Sequence, residues 1–167
     1  MPPPFSWFAA AVYYVSAGVL GTFVVALAYY LPSVSAWSAE GRPFSGFLTV
    51  YALSFLGSLP AVLVAAFTVR RLAAALGWER LLPSLAAGTA ICFALPWLFA
   101  RMGYLIERTY FPAEWQGAKR AAVFPFMGPM MYQMQPLAVQ LAVAVATAGV
   151  FYLCGRQLAA RVRSVRR

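Results

Sequence analysis

The chain has 167 residues, 63% of them apolar and 10% charged, with a mean hydropathy of +0.74. A soluble domain averages roughly 45–50% apolar and 25% charged, so this composition leaves no room for a soluble domain beside the apolar part. Thirteen bases against four acids give a net charge of +9. The bases are scattered among segment ends and form no continuous patch, which argues against nucleic-acid binding and for anchoring to anionic headgroups.

Four runs, 1–39, 43–69, 81–100 and 121–155, carry no charged side chain. A hydrocarbon core about 30 Å thick is crossed by roughly 20 apolar helical residues, and each run is long enough. The sequence therefore predicts an all-α fold: an integral membrane four-helix bundle, up-down-up-down, with its second and third helices kinked by proline. A single transmembrane domain covers 1–167. Its spans are expected at about 6–31, 45–69, 83–106 and 132–155, with an outer connection at 107–131 and a basic cytoplasmic tail at 156–167.

Pro2, Pro3 and Pro4 form a stiff, non-helical lead-in. The first run lacks a basic start and is longer than a signal-peptide core, so it reads as a retained span. Pro32 and the serine-rich stretch 32–38 are expected to end it. The second span should exit at Arg70 and Arg71, with Gly77 as a helix stop and Trp78 at the interface. Pro83 suits the first turn of the third helix. Pro60 and Pro96 fall in mid-span; each removes a backbone donor and predicts a kink.

Small residues recur at every fourth position: Gly57, Ala61 and Ala65 in the second span, Ala86, Ala90 and Ala94 in the third, and Ala138, Ala142 and Ala146 in the fourth. Ala17 and Gly21 repeat the pattern in the first. This spacing sets each group on one helix face, where close backbone approach drives helix association in lipid. All nine positions in the later spans are expected to pack against other helices.

Chemistry-bearing residues are sparse. Histidine is absent, which removes the usual haem ligand, the usual proton shuttle and the base of Ser-His or Cys-His pairs. Glu40, Glu79, Glu107 and Glu114 all fall in connections or at helix ends. No carboxylate sits at the midplane, where a proton-coupled pump would keep one. Cys92 and Cys154 have no metal-like spacing and read as small buried hydrophobes. Arg101 alone lies inside a span, near its outer end, where its stem can snorkel.

The long third connection is rich in aromatic residues. A segment of this length is expected to bind something, and Tyr110, Phe111, Trp115, Phe124 and Phe126 are the expected partner-docking residues. Met127, Met130, Met131 and Met134 follow at helical spacing. Thioethers are soft ligands that select Cu(I), yet with no His or Cys nearby a flexible apolar contact surface fits better. In the tail, Arg156, Arg161, Arg163, Arg166 and Arg167 are expected to bind anionic lipid.

With both termini on one side, that side collects eight bases, Arg70, Arg71, Arg80 and the five tail arginines. The other collects five: Arg42, Arg101, Arg108, Lys119 and Arg120. The positive-inside rule puts both termini in the cytoplasm, with the bacterial inner membrane the expected location. The functional expectation is a non-catalytic accessory subunit of a larger membrane complex, such as a respiratory or photosynthetic electron-transfer complex. Its partners would be membrane lipids and other membrane subunits. No cofactor is predicted, although the aromatics would suit a bound lipid, quinone or pigment. Two alternatives are a small oligomeric transporter or channel and an outer-face copper-handling protein built on the four methionines.

Overall fold

The computed structural model describes residues 7–109 and 111–164, and every regular element among them is helical. Helix α1 spans Trp7–Tyr30, α2 Val34–Ala39, α3 Pro43–Leu76, α4 Leu81–Arg108, α5 Gln116–Val123, α6 Met127–Gln133 and α7 Leu137–Ser164. Short 3-10 turns at Leu31–Ser33, Ala113–Trp115 and Phe124–Phe126 link some of them. Among the described residues, four stretches are long and apolar enough to cross a membrane: Trp7–Ala36, Pro43–Leu76, Leu81–Arg108 and Leu137–Ala160.

The boundaries differ from expectation in instructive ways. The first α-helix ends at Tyr30, as expected ahead of Pro32, but the chain does not leave helical geometry there: Pro32 sits at the start of a 3-10 turn that leads into α2. A proline in a first turn loses no bond, because its N–H would have had no helical partner there. Helix α3 runs through Arg70 and Arg71 and stops only at Gly77, whose φ of 89° few other residues adopt. The fourth span begins at Leu137, five residues later than expected, because 127–133 form the separate helix α6. Pro60 and Pro96 lie inside α3 and α4.

The core joins all four spans. It is built from Tyr13 and Ala17 of α1, Val62, Ala65, Ala66 and Val69 of α3, Cys92 of α4, and Ala144, Ala148 and Phe151 of α7. Its small residues bring the backbones together and its two rings, Tyr13 and Phe151, fill what remains. At Gly21 an added Cβ would sit 3.0 Å from both Val62 and Phe151, so α1 meets α3 and α7 there at glycine distance. The Tyr13 hydroxyl donates to the Ala66 carbonyl at 2.8 Å, tying α1 to α3 in the interior. Thr22, fully buried, turns its hydroxyl back to the Gly18 carbonyl at 2.6 Å, the standard way to bury a hydroxyl in a span.

The small-residue rows divide between the interior and the outer surface. Gly57, Ala61 and Ala65 are buried, as are Ala17 and Gly21, but Ala86, Ala90, Ala94, Ala138, Ala142 and Ala146 are exposed. In α4 the inward row is Ser84, Gly88, Cys92 and Ala100, with Gly103 beyond. Glycine permits a closer approach than alanine, so the row carrying Gly88 turns inward: a Cβ there would meet Ala148 and Val69 at 3.4–3.5 Å. In α7 the inward residues are Gln140, Ala144, Ala148 and Tyr152, flanked by Thr147 and Phe151. The amide of Gln140 and the rings of Phe151 and Tyr152 need the interior more than alanine does.

Near Trp78, the end of α7 and the connection between α3 and α4 are joined by aromatic contacts. Tyr152 donates to the Trp78 carbonyl at 2.5 Å, and the Trp78 ring fills the space left by the missing side chain of Gly155. The Arg70 guanidinium lies 5.7 and 5.6 Å from the ring centres of Tyr13 and Tyr14, and donates to the Tyr14 hydroxyl at 3.2 Å. An arginine can thus remain in the helix by folding its charge over rings.

Candidate functional site

The most built part of the molecule is the seat of α6. This helix packs against α3 and α4, and its start is pinned from two sides. Tyr29 of α1 donates to the Gly128 carbonyl at 2.8 Å. A Cβ at Gly128 would overlap the Ser58 hydroxyl, so only glycine lets the chain pass α3 at this point. On the facing side, Gly57 lies against the Phe124 carbonyl and the Met127 Cβ. Two glycines on opposing segments therefore produce one backbone-to-backbone contact.

The other end of α6 is held by Gln140 of α7. Its amide nitrogen donates to the Gln135 carbonyl at 2.8 Å and the Gln133 carbonyl at 3.3 Å. Its side-chain oxygen accepts from the Trp97 indole at 3.2 Å, and its backbone oxygen accepts from Tyr132 at 2.8 Å. One side chain thereby satisfies the carbonyls released where α6 ends before α7. Burial pushes the Tyr132 phenol well above its ordinary value, so the hydroxyl keeps the proton that it donates.

Beneath α6 lies a cavity of about 40 Å³, bordered by Tyr29, Ser58, Cys92, Pro96, Tyr132 and Thr147, with apolar side chains between them. Ser58 and Thr147 are buried, and their hydroxyls have no hydrogen-bond partner among the described residues. Cys92 and Cys154 are free thiols, the first buried and the second half-buried. The site contains donors, acceptors and a thiol but no carboxylate or amine. Its chemistry is hydrogen bonding and apolar contact.

The expected docking segment divides in two. Trp115 is 58% exposed and Phe111 half-buried, while Tyr110 lies outside the described residues. Phe124 and Phe126 are half-buried against the protein's own spans α3 and α4. Phe126 lies over Gly103 and beside Phe99, its ring centre 6.1 Å away. Glycine at 103 opens the niche that takes this ring.

The methionines do not gather around one point. Met127 lies at Gly57 on α3, Met130 reaches Gly103 on α4, and Met131 and Met134 are exposed. Among the described residues no group of three His, Cys, Asp or Glu could hold a metal ion. Of the tail arginines, Arg156 is exposed. Arg161 and Arg163 continue the helix with side chains outside the description, and Arg166 and Arg167 lie outside the described residues.

Gln140, the hub of these bonds, was not among the residues singled out from the sequence. The signal was present: a lone amide one turn into an apolar helix, just after Gln133, Gln135 and Pro136, must satisfy itself on nearby backbone. No protein-family model matches the chain, and no curated protein or solved structure matches it either.

Proposed function

We propose that the protein is a non-catalytic integral membrane subunit that packs against, and stabilises, a larger membrane assembly. One observation carries this reading: the outward small-residue rows of α4 and α7. Ala86, Ala90 and Ala94 lie exposed on the least buried span, since only 17% of the most apolar stretch of α4 is covered, against 33–44% in the other three. Ala138, Ala142 and Ala146 lie exposed on α7, and a Cβ added at neighbouring Gly149 would meet nothing. Small rows on a lipid-facing surface suit the close approach of another membrane helix.

The reading takes the spans as alternating up-down-up-down, bent at Pro60 and Pro96, with both termini in the cytoplasm of a bacterial inner membrane. An electron-transfer complex is a suitable host, and exposed Trp115 with half-buried Phe111 forms a second contact on the outer side.

Replacing Ala90 and Ala142 by leucine together tests the proposal. The expected result is a folded protein that no longer co-migrates with its assembly in mild detergent, because the added side chains hold a neighbouring helix away. Unchanged co-migration rejects it.

A second reading, a carrier assembled from several copies, is favoured by the cavity under α6 and its two unpartnered hydroxyls. It predicts a homo-oligomer whose transport falls when Thr147 is replaced by valine.

A further inference from the structure

We infer that Arg101 and Arg108 of α4 form a binding site for the phosphate of an anionic phospholipid, at the membrane face opposite the basic tail. The argument starts from depth. Residues 81–100 are twenty uncharged positions, and at 1.5 Å per residue they cover about 30 Å, the thickness of the hydrocarbon core. Arg101 is the next residue. Its Cα therefore lies at the hydrocarbon boundary, and its stem reaches the layer where phosphates sit.

Arg108 follows two turns later. Seven residues bring it back to nearly the same face, about 10 Å further along the axis. Tyr104 and Leu105 fill the turn between them. These four residues enclose a recess of about 420 Å³ on the outer surface of α4. Both guanidiniums are exposed, and neither has a hydrogen-bond or ion-pair partner among the described residues. Glu107 is one residue from Arg108, but that step turns it about 100° around the helix. Lys119 and Arg120 of α5, which packs on α4, add charge of the same sign.

A guanidinium on a lipid-facing span is expensive unless something anionic neutralises it. The protein offers no anion here, and the bilayer does. A phosphate diester fits the donor fork of arginine in both charge and shape. Below the recess, one turn before Arg101, Trp97 and Leu98 present an apolar surface on which an acyl chain can lie. The lipid is held at both ends: its phosphate between two guanidiniums and its chain along the helix.

The test uses the whole protein, purified in mild detergent, delipidated and titrated with phosphatidylglycerol while bound lipid is counted by native mass spectrometry. The unsubstituted protein should take up one lipid more tightly than Arg101→Gln/Arg108→Gln does. Each base near a membrane surface contributes about fivefold, so the double variant should bind roughly 25-fold more weakly. Arg101→Lys/Arg108→Lys should restore most of that loss, since it keeps the charges. Circular dichroism separates this from unfolding, because both side chains project from the bundle. Inorganic phosphate at millimolar concentration should not displace the lipid. Equal binding by the glutamine variant overturns the inference, as does displacement by inorganic phosphate or uptake of uncharged diacylglycerol with the same affinity.

Discussion

At the scale of single residues, glycines and one amide organise the molecule. Gly128 passes Ser58 at a separation that admits no side chain. Gly128→Ala should therefore unseat α6 and destabilise the protein by about 1–3 kcal/mol, the usual cost of inserting a methyl group into a filled contact. Thermal unfolding in detergent measures it; an unchanged midpoint would mean that α6 does not pass Ser58 so closely. Gln140→Leu keeps the size of the side chain and removes three side-chain hydrogen bonds, to Trp97, Gln133 and Gln135. At about 0.6 kcal/mol for a typical bond within a membrane protein, the loss should be about 2 kcal/mol. Trp97 fluorescence should shift as its indole loses its acceptor.

At the scale of elements, the two faces of each span make opposite predictions. Ala61 is buried in α3, so Ala61→Leu should lower the stability of the isolated protein by about 1–3 kcal/mol. Ala90 and Ala142 are exposed, so leucine at either position should change the isolated protein by less than about 0.5 kcal/mol. A melting series on the three single variants checks the contrast. Equal losses at all three would mean that the α4 and α7 rows face inward after all.

The same elements show what the sequence reveals and what it hides. Four uncharged runs make four spans legible, because no other structure satisfies so much apolar backbone in lipid. The fourfold spacing of small residues was legible too, but not its direction. In an alanine-rich helix several rows meet the same pattern, and only the neighbours decide which one turns inward. Gly88 and Gly103 decided it in α4, and Gln140, Phe151 and Tyr152 in α7. Helix α6 was read as the end of a connection. Its helical course depends on Gly57, Gly103 and Tyr29, distant residues that no local pattern links to it.

At the scale of the whole molecule, orientation is the statement most open to direct measurement. The base count puts Gln116, an exposed residue at the start of α5, outside the cell. Cysteine introduced there, in a background without the two native thiols, should react with an impermeant thiol reagent added to intact cells. Labelling only after lysis reverses the topology and exchanges the faces assigned to the Arg101 recess and the tail.

The latch at Gln140 also bears on how the protein is made. Three of its four hydrogen-bond partners, Trp97, Tyr132 and Gln133, precede Gln135 in the chain, and all four precede Gln140 itself. During synthesis α6 is made before the residue that fastens it, and α7 must follow before the two can meet. Until Gln140 arrives, the carbonyls of Gln133 and Gln135 lack that amide. Fastening of α6 is thus a late step, and a chain truncated after residue 135 and released should be cut by protease at 127–133, where the full-length chain is protected.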